Sequence, residues 1–218
     1  QTFRSAESPP HEGSTTTFQA SVERATAAMA QPRPIVEPGG RPFGFTAVPE
    51  KRRTIGEVDQ ALKAVLFEVV SGGSGSWPLT IVGPAGSGKT CAALVMHDRY
   101  GGWYADLPSF HERLLEIKGG SVCWDGPTGC VMTARDFWQA WRSSPLTVMD
   151  EIGQRSPSDS QYETLKTAID GREERPAIYI SNLSLNELSR IYDDRIASRL
   201  AYGTVYELDV PDRRLSKQ

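Results

Sequence analysis

Eight consecutive residues, Gly83-Pro84-Ala85-Gly86-Ser87-Gly88-Lys89-Thr90, hold the types that binding a polyphosphate requires. A triphosphate carries several negative charges on closely spaced oxygens. Glycines let backbone N–H groups turn inward around those oxygens. Lys89 can reach the β- and γ-phosphates, and the Thr90 hydroxyl can take Mg²⁺, so ATP and Mg²⁺ are the expected ligands. The spacing is that of a complete Walker A loop. Its surroundings agree. Leu79-Thr80-Ile81-Val82 reads as a short strand running into the loop, and Cys91 to Arg99 as a helix running out of it. A helix beginning near Gly88 adds the positive end of its dipole to the same place.

A second group is Leu146-Thr147-Val148-Met149-Asp150-Glu151. Four strand-forming residues deliver an acidic pair to a strand's carboxyl end, where ligands bind in open α/β sheets. Asp150 is expected to hold Mg²⁺ and Glu151 to polarise the attacking water. The competing reading is a pair of solvent carboxylates. A third strand ends in Ser181-Asn182. Asn182 could hydrogen-bond the attacking water or the γ-phosphate, or could simply form the turn before Leu183. Arg195 and Arg199 lie four apart and so share a helical face. They could stabilise transition-state charge on a γ-phosphate. Equally, they could be surface arginines bridged to Asp193 or Asp194.

These groups need a scaffold. Further strands are expected at Trp103–Ala105, Ala177–Ile180 and Thr204–Leu208. Helices are expected at Leu107–Ile117, Arg135–Trp141, Ser160–Ile169, Leu185–Arg190 and Asp193–Ala201. Strands alternating with helices define an α/β fold with a mainly parallel sheet sandwiched by helices. Ahead of the first strand, Thr54 and Glu57 match a capping box, followed by Val58, Leu62, Val65, Leu66 and Val69 on one helical face. Asp125-Gly126-Pro127-Thr128-Gly129 suggests a hairpin or insertion.

The first fifty residues differ, with seven of the fifteen prolines and few large apolar side chains. Residues 1–50 are expected to be a flexible extension and 51–218 the ATPase domain. Within the extension, Phe18, Val22, Ala25 and Met29 fall at helical spacing. They fit a helix that docks on a partner, a local helix, or disorder. The net charge is −3, so broad neutralisation of duplex DNA is not expected, and any DNA contact must be local or shared among subunits. No apolar run reaches the ~20 residues of a membrane span, and no signal segment opens the chain. Cys91 reads as a small buried residue. Cys123 and Cys130 could form a zinc half-site or a disulfide, but the second close pair of a zinc site is absent, and structural or incidental thiols in a reducing cytoplasm are expected.

The order of these motifs resembles a known family. The specific parts are Ile180-Ser181-Asn182 and Asp194-Arg195-Ile196-Ala197-Ser198-Arg199-Leu200, followed by Asp212-Arg213-Arg214. Together with Gly83–Thr90 and Leu146–Gly153, the chain is similar over 55–214 to AAA+ ATPases of the DnaC/DnaI helicase-loader group, with IstB-like transposition helpers as relatives. The resemblance implies a P-loop AAA+ fold and ATP hydrolysis. It places Asn182 at the sensor-1 position and Arg199 where an arginine finger acts on ATP in a neighbouring subunit, with Arg195 beside it, so self-association is implied. Arg172 also matches a family arginine, without an assigned role. No helical lid bearing a sensor-2 arginine is expected after Arg214. Trp124, Trp138 and Trp141 are either core residues or stacking platforms for single-stranded DNA. The implied function is loading a replicative helicase on single-stranded DNA during replication. The alternatives are an IstB-like helper acting with a transposase on target DNA, and a nucleotide-binding adaptor without significant hydrolysis.

Overall fold

A computed structural model of the chain describes residues 58–72, 77–120, 133–153 and 157–209. The extension at 1–50, the Thr54/Glu57 box, the turn at 125–129, Cys123, Cys130, Trp124 and the Asp212-Arg213-Arg214 segment lie outside them. In chain order the elements are α1 (Gln60–Ser71), β1 (Leu79–Val82), α2 (Lys89–Tyr100), β2 (Trp103–Asp106), α3 (Leu107–Lys118), α4 (Ala134–Ser143), β3 (Thr147–Ile152), α5 (Asp159–Asp170), β4 (Ala177–Ser181), α6 (Leu185–Ile191), α7 (Asp194–Leu200) and β5 (Thr204–Glu207).

The strands form one five-stranded sheet in the order β2-β3-β4-β1-β5, and all four pairings are parallel. Side-chain alternation divides β2, β3 and β4 between two cores. Leu79, Ile81, Val148, Ile178 and Ile180 pack under α1 and α2, with Leu62, Leu66, Ala92 and Met96. Ala105, Met149, Ala177 and Tyr179 pack on the other face with residues of α3 through α7. This is the three-layer arrangement that parallel sheets require, because both faces must be covered. Thr80 is the polar exception in β1; it is buried and its hydroxyl donates to the Leu200 carbonyl at 2.6 Å, tying α7 to the sheet.

Helix starts are set by local chemistry. α1 begins at Asp59, whose carboxylate accepts from the N–H groups of Ala61 and Leu62. Thr133 with Asp136, and Ser184 with Glu187, form reciprocal capping boxes on α4 and α6. Asp193 caps α7 through the Ile196 N–H at 2.9 Å.

Of the candidate stacking tryptophans within the described residues, Trp141 belongs to the core. Trp141 is fully buried and its indole N–H donates to the Ala168 carbonyl at 2.9 Å. Trp138 is half-buried against Phe110 and Phe137. Trp141 therefore has no face to offer a base. Cys91, expected to be buried, is half-buried at the margin of the α1–α2 core. No described helix is long and apolar enough to cross a membrane. Among the described residues no helix follows β5.

Candidate functional site

Since β1, β3 and β4 are parallel, their carboxyl ends share one edge of the sheet, and the three sequence motifs meet there. β4 lies between the other two. Its Ser181 pairs with Val82, next to the P-loop, and with Ile152, next to the acidic pair. Asn182, exposed, follows directly.

The loop from Gly83 to Gly88 is shaped by its glycines. Gly83 has φ of 142°, and a Cβ there would sit 2.4 Å from the Leu208 carbonyl oxygen, so only glycine fits. Gly86 and Gly88 also have positive φ, at 73° and 102°. Pro84 and Ala85 are exposed on the loop, whereas Ser87 is buried. The Lys89 side chain is buried and turns back over the loop. Its ammonium donates to the carbonyls of Gly83 and Pro84, both at 2.7 Å, with the Ser87 hydroxyl at 3.4 Å. A cation is thereby fixed among the backbone groups of the loop, at the start of α2.

Thr90 and Asp150 are joined directly: the Thr90 hydroxyl donates to Oδ2 of Asp150 at 2.7 Å. The same oxygen accepts from the Tyr104 hydroxyl at 2.9 Å, and Oδ1 accepts from the Glu151 N–H at 2.8 Å. A hydroxyl beside a carboxylate is a hard oxygen donor set. It suits Mg²⁺, which takes one or two protein ligands and completes its shell with water and phosphate oxygens. Among the described residues no cluster of three or more His, Cys, Asp or Glu is placed to hold a metal ion.

Sequence reasoning missed Tyr104. Its phenol is pushed above the ordinary range, first by burial and then by the Asp150 carboxylate. The residue lies on β2, in register with Val148, while Asp106 is in register with Asp150. Strand order brings it to the site, and no local motif marks it.

β3 does not stop at Met149, as the apolar run suggested, but continues through Asp150 and Glu151 to Ile152. The pairing with β4 shifts register between Met149 and Ile152. At this irregularity Glu151 takes φ of 60° and is exposed. A glutamate in the left-handed region costs of order 1 kcal/mol or more, a strain that clusters at functional sites. Gly153 follows with φ of 86°. A Cβ on it would meet Leu188 at 2.7 Å. The Ser181 hydroxyl donates to the Ile152 carbonyl at 2.7 Å and accepts from the Leu183 N–H at 3.0 Å. The residue next to Asn182 thus fastens the bent end of β3 to β4.

Arg195 and Arg199 are not with the other candidates. They line a cavity of about 660 Å³ together with Pro78, Asp170, Glu173 and Tyr202. Pro78 precedes β1, so this cavity lies toward the amino ends of the strands, away from the P-loop. Arg199 pairs with Asp170 of α5 rather than with Asp193 or Asp194. Asp194 instead accepts from Ser189, and Asp193 accepts from Tyr162 at 2.6 Å. Arg172 has a different environment again. It is buried, and its guanidinium donates to the carbonyls of Trp141, Arg142, Ser144 and Pro176. Burial lowers its pKa to about 10. Its place is at the amino ends of β3 and β4, so it serves the fold.

No family model matches the sequence, and no curated protein matches it either. Solved structures do. AMPPCP-bound DnaA from Aquifex aeolicus superposes with a TM-score of 0.60 at 18% identity, covering 79% of this chain and 54% of that one. The DnaC helicase loader gives 0.54 at 19% identity, covering 78% and 99%. DnaI gives 0.52 at 18% identity, covering 72% and 90%. The chain spans about half the length of the nucleotide-bound DnaA structures it matches. At these identities the likeness is one of fold. The chain is an α/β domain whose fold is like that of the DnaC helicase loader, of DnaI and of DnaA.

Proposed function

We propose that the chain binds and hydrolyses ATP with Mg²⁺, and uses that cycle to help place a replicative helicase on single-stranded DNA. The observation that carries the ATPase reading is the Thr90–Asp150 hydrogen bond of 2.7 Å, which joins two motifs sixty residues apart at the edge where phosphates bind. Gly83 through Gly88 would wrap the phosphates with backbone N–H groups, and Lys89 would neutralise them. Thr90 and Asp150 would hold Mg²⁺, which when bound draws charge from the phosphate oxygens. Glu151 would orient the attacking water, and Asn182 would hydrogen-bond that water or the γ-phosphate.

Arg199 and Arg195 lie toward the opposite edge of the sheet from this loop. They would therefore serve a nucleotide held by a second copy, completing the site only where two copies meet. The loader reading draws on likeness in fold to the DnaC helicase loader. The test pairs the chain with the helicase and the transposase of the same genome. Pull-down with ATP should retain the helicase, and the chain should raise helicase binding to single-stranded DNA. Retention of the transposase alone would overturn the loader role. Lys89→Ala removes a cation from a highly charged ligand and should abolish ATP binding measured by calorimetry. Unchanged affinity would overturn the ATPase reading as well.

A further inference from the structure

Asp150 sits in the candidate site with three hydrogen-bond donors around it. Glu151 N–H holds Oδ1 at 2.8 Å, while the hydroxyls of Thr90 and Tyr104 hold Oδ2 at 2.7 and 2.9 Å. The three differ in kind. The backbone N–H is fixed by the strand. The Thr90 hydroxyl rotates freely, so it can turn its proton away and offer a lone pair to a cation. The Tyr104 hydroxyl is carried on a rigid ring, and that ring is anchored independently. It stands edge-on to His97 of α2, with centroids 6.3 Å apart. The Nε2 of His97 lies 3.2 Å from the Gly102 carbonyl. Tyr104 therefore links the helix that leaves the P-loop, the edge strand β2 and the carboxylate at the end of β3.

We propose that Tyr104 is a positioning residue for the divalent cation: its hydroxyl fixes the orientation of the Asp150 carboxylate, so that the cation meets a ligand already aimed. The inference rests on the Mg²⁺–ATP reading of this site. A carboxylate held only by its own neighbour's N–H and a rotating hydroxyl must be ordered when the metal arrives, and that ordering weakens binding. Outer hydrogen bonds of this kind are worth about 10- to 100-fold in metal affinity or activity.

Tyr104→Phe keeps the ring and its contact with His97 and deletes only the donor. Mn²⁺ is the probe, with the fraction bound read by electron paramagnetic resonance in the presence of a non-hydrolysable ATP analogue. The variant should hold Mn²⁺ about ten-fold more weakly than the unaltered chain. Its affinity for the analogue in EDTA and its thermal midpoint should be unchanged. The Mg²⁺ concentration giving half-maximal hydrolysis should rise in parallel, with the maximal rate regained at high Mg²⁺. Equal Mn²⁺ affinity in the two proteins overturns the proposal. So does a lower thermal midpoint with unchanged Mn²⁺ affinity, which would make the hydroxyl a packing partner only. If the unaltered chain itself binds no Mn²⁺ with the analogue, the Mg²⁺–ATP reading has failed, and the role of Tyr104 falls with it.

Discussion

At the scale of single residues, Glu151 combines an exposed carboxylate with a left-handed backbone, next to the carboxylate that faces Thr90. Its backbone conformation costs stability that glycine would not pay. Two substitutions separate backbone from carboxylate. Glu151→Gln should leave ATP binding intact and remove turnover, trapping the ATP state. Glu151→Gly should also lose turnover, yet unfold at an equal or higher denaturant concentration, by up to about 1 kcal/mol. Turnover at the unaltered rate in Glu151→Gln would remove Glu151 from the reaction. A clear loss of stability in Glu151→Gly would show that the strain is not there to be relieved. Both acidic residues stood out in the sequence because an apolar, strand-forming run, Leu146 to Met149, led into them. The distortion was not, since it arises from how β3 meets β4, and neither strand's residues name the other.

Among the elements, the strand–loop–helix around the P-loop was the most legible, because Gly83, Gly86 and Gly88 each answer a local backbone demand. Boundaries set by caps were less so. The Thr54/Glu57 pattern suggested an earlier start to the helix that Asp59 caps. Arg172 shows the limit most clearly. Its sequence neighbourhood, Asp170-Gly171-Arg172, gives no sign that it gathers carbonyls from the end of α4, from Ser144 just before β3, and from Pro176 at the start of β4. Arg172→Ala would leave those carbonyls unpaired and open a cavity. It should destabilise the domain by about 3–5 kcal/mol in chemical denaturation. Arg172→Lys should recover little, since an ammonium cannot span the same fork. A loss below about 1 kcal/mol for Arg172→Ala would contradict this role.

The helix caps carry a pH dependence of definite sign. Asp193 is held below the usual aspartate range first by the Tyr162 hydroxyl and then by the Ile196 N–H. Glu187 and Asp136 are held low in their capping boxes, by Ser184 and Thr133. A carboxyl with a depressed folded-state pKa contributes stability that is present above its unfolded value, about 4. That contribution is lost as pH falls through the folded value. Stability should therefore decline below about pH 4, and Asp193→Asn should flatten part of that decline in denaturation curves taken across the acid range. An unaltered acid limb in the mutant would mean that Asp193 does not contribute.

At the scale of the whole molecule, the candidate residues divide between the two ends of the parallel sheet. The P-loop, Asp150, Glu151 and Asn182 gather at the carboxyl end, while Arg195 and Arg199 border a cavity toward the amino end. The sequence showed an arginine pair at helical spacing, but the distance between that pair and the P-loop is a property of the fold. One molecule presenting a pocket at one end and arginines at the other suits head-to-tail association. The Arg199–Asp170 pair is exposed on both sides, and such pairs are worth about 0–1 kcal/mol, so Arg199→Ala should fold normally. It should bind ATP and hydrolyse it about 10³-fold more slowly. The most direct test mixes Arg199→Ala with Lys89→Ala, each inactive alone. In an interface between the two, the first supplies an intact pocket and the second an intact arginine. With random, equal mixing, about a quarter of the interfaces should regain hydrolysis, measured as phosphate release with ATP and single-stranded DNA present. Activity that stays at background although mixed oligomers form would contradict a site completed by a second copy.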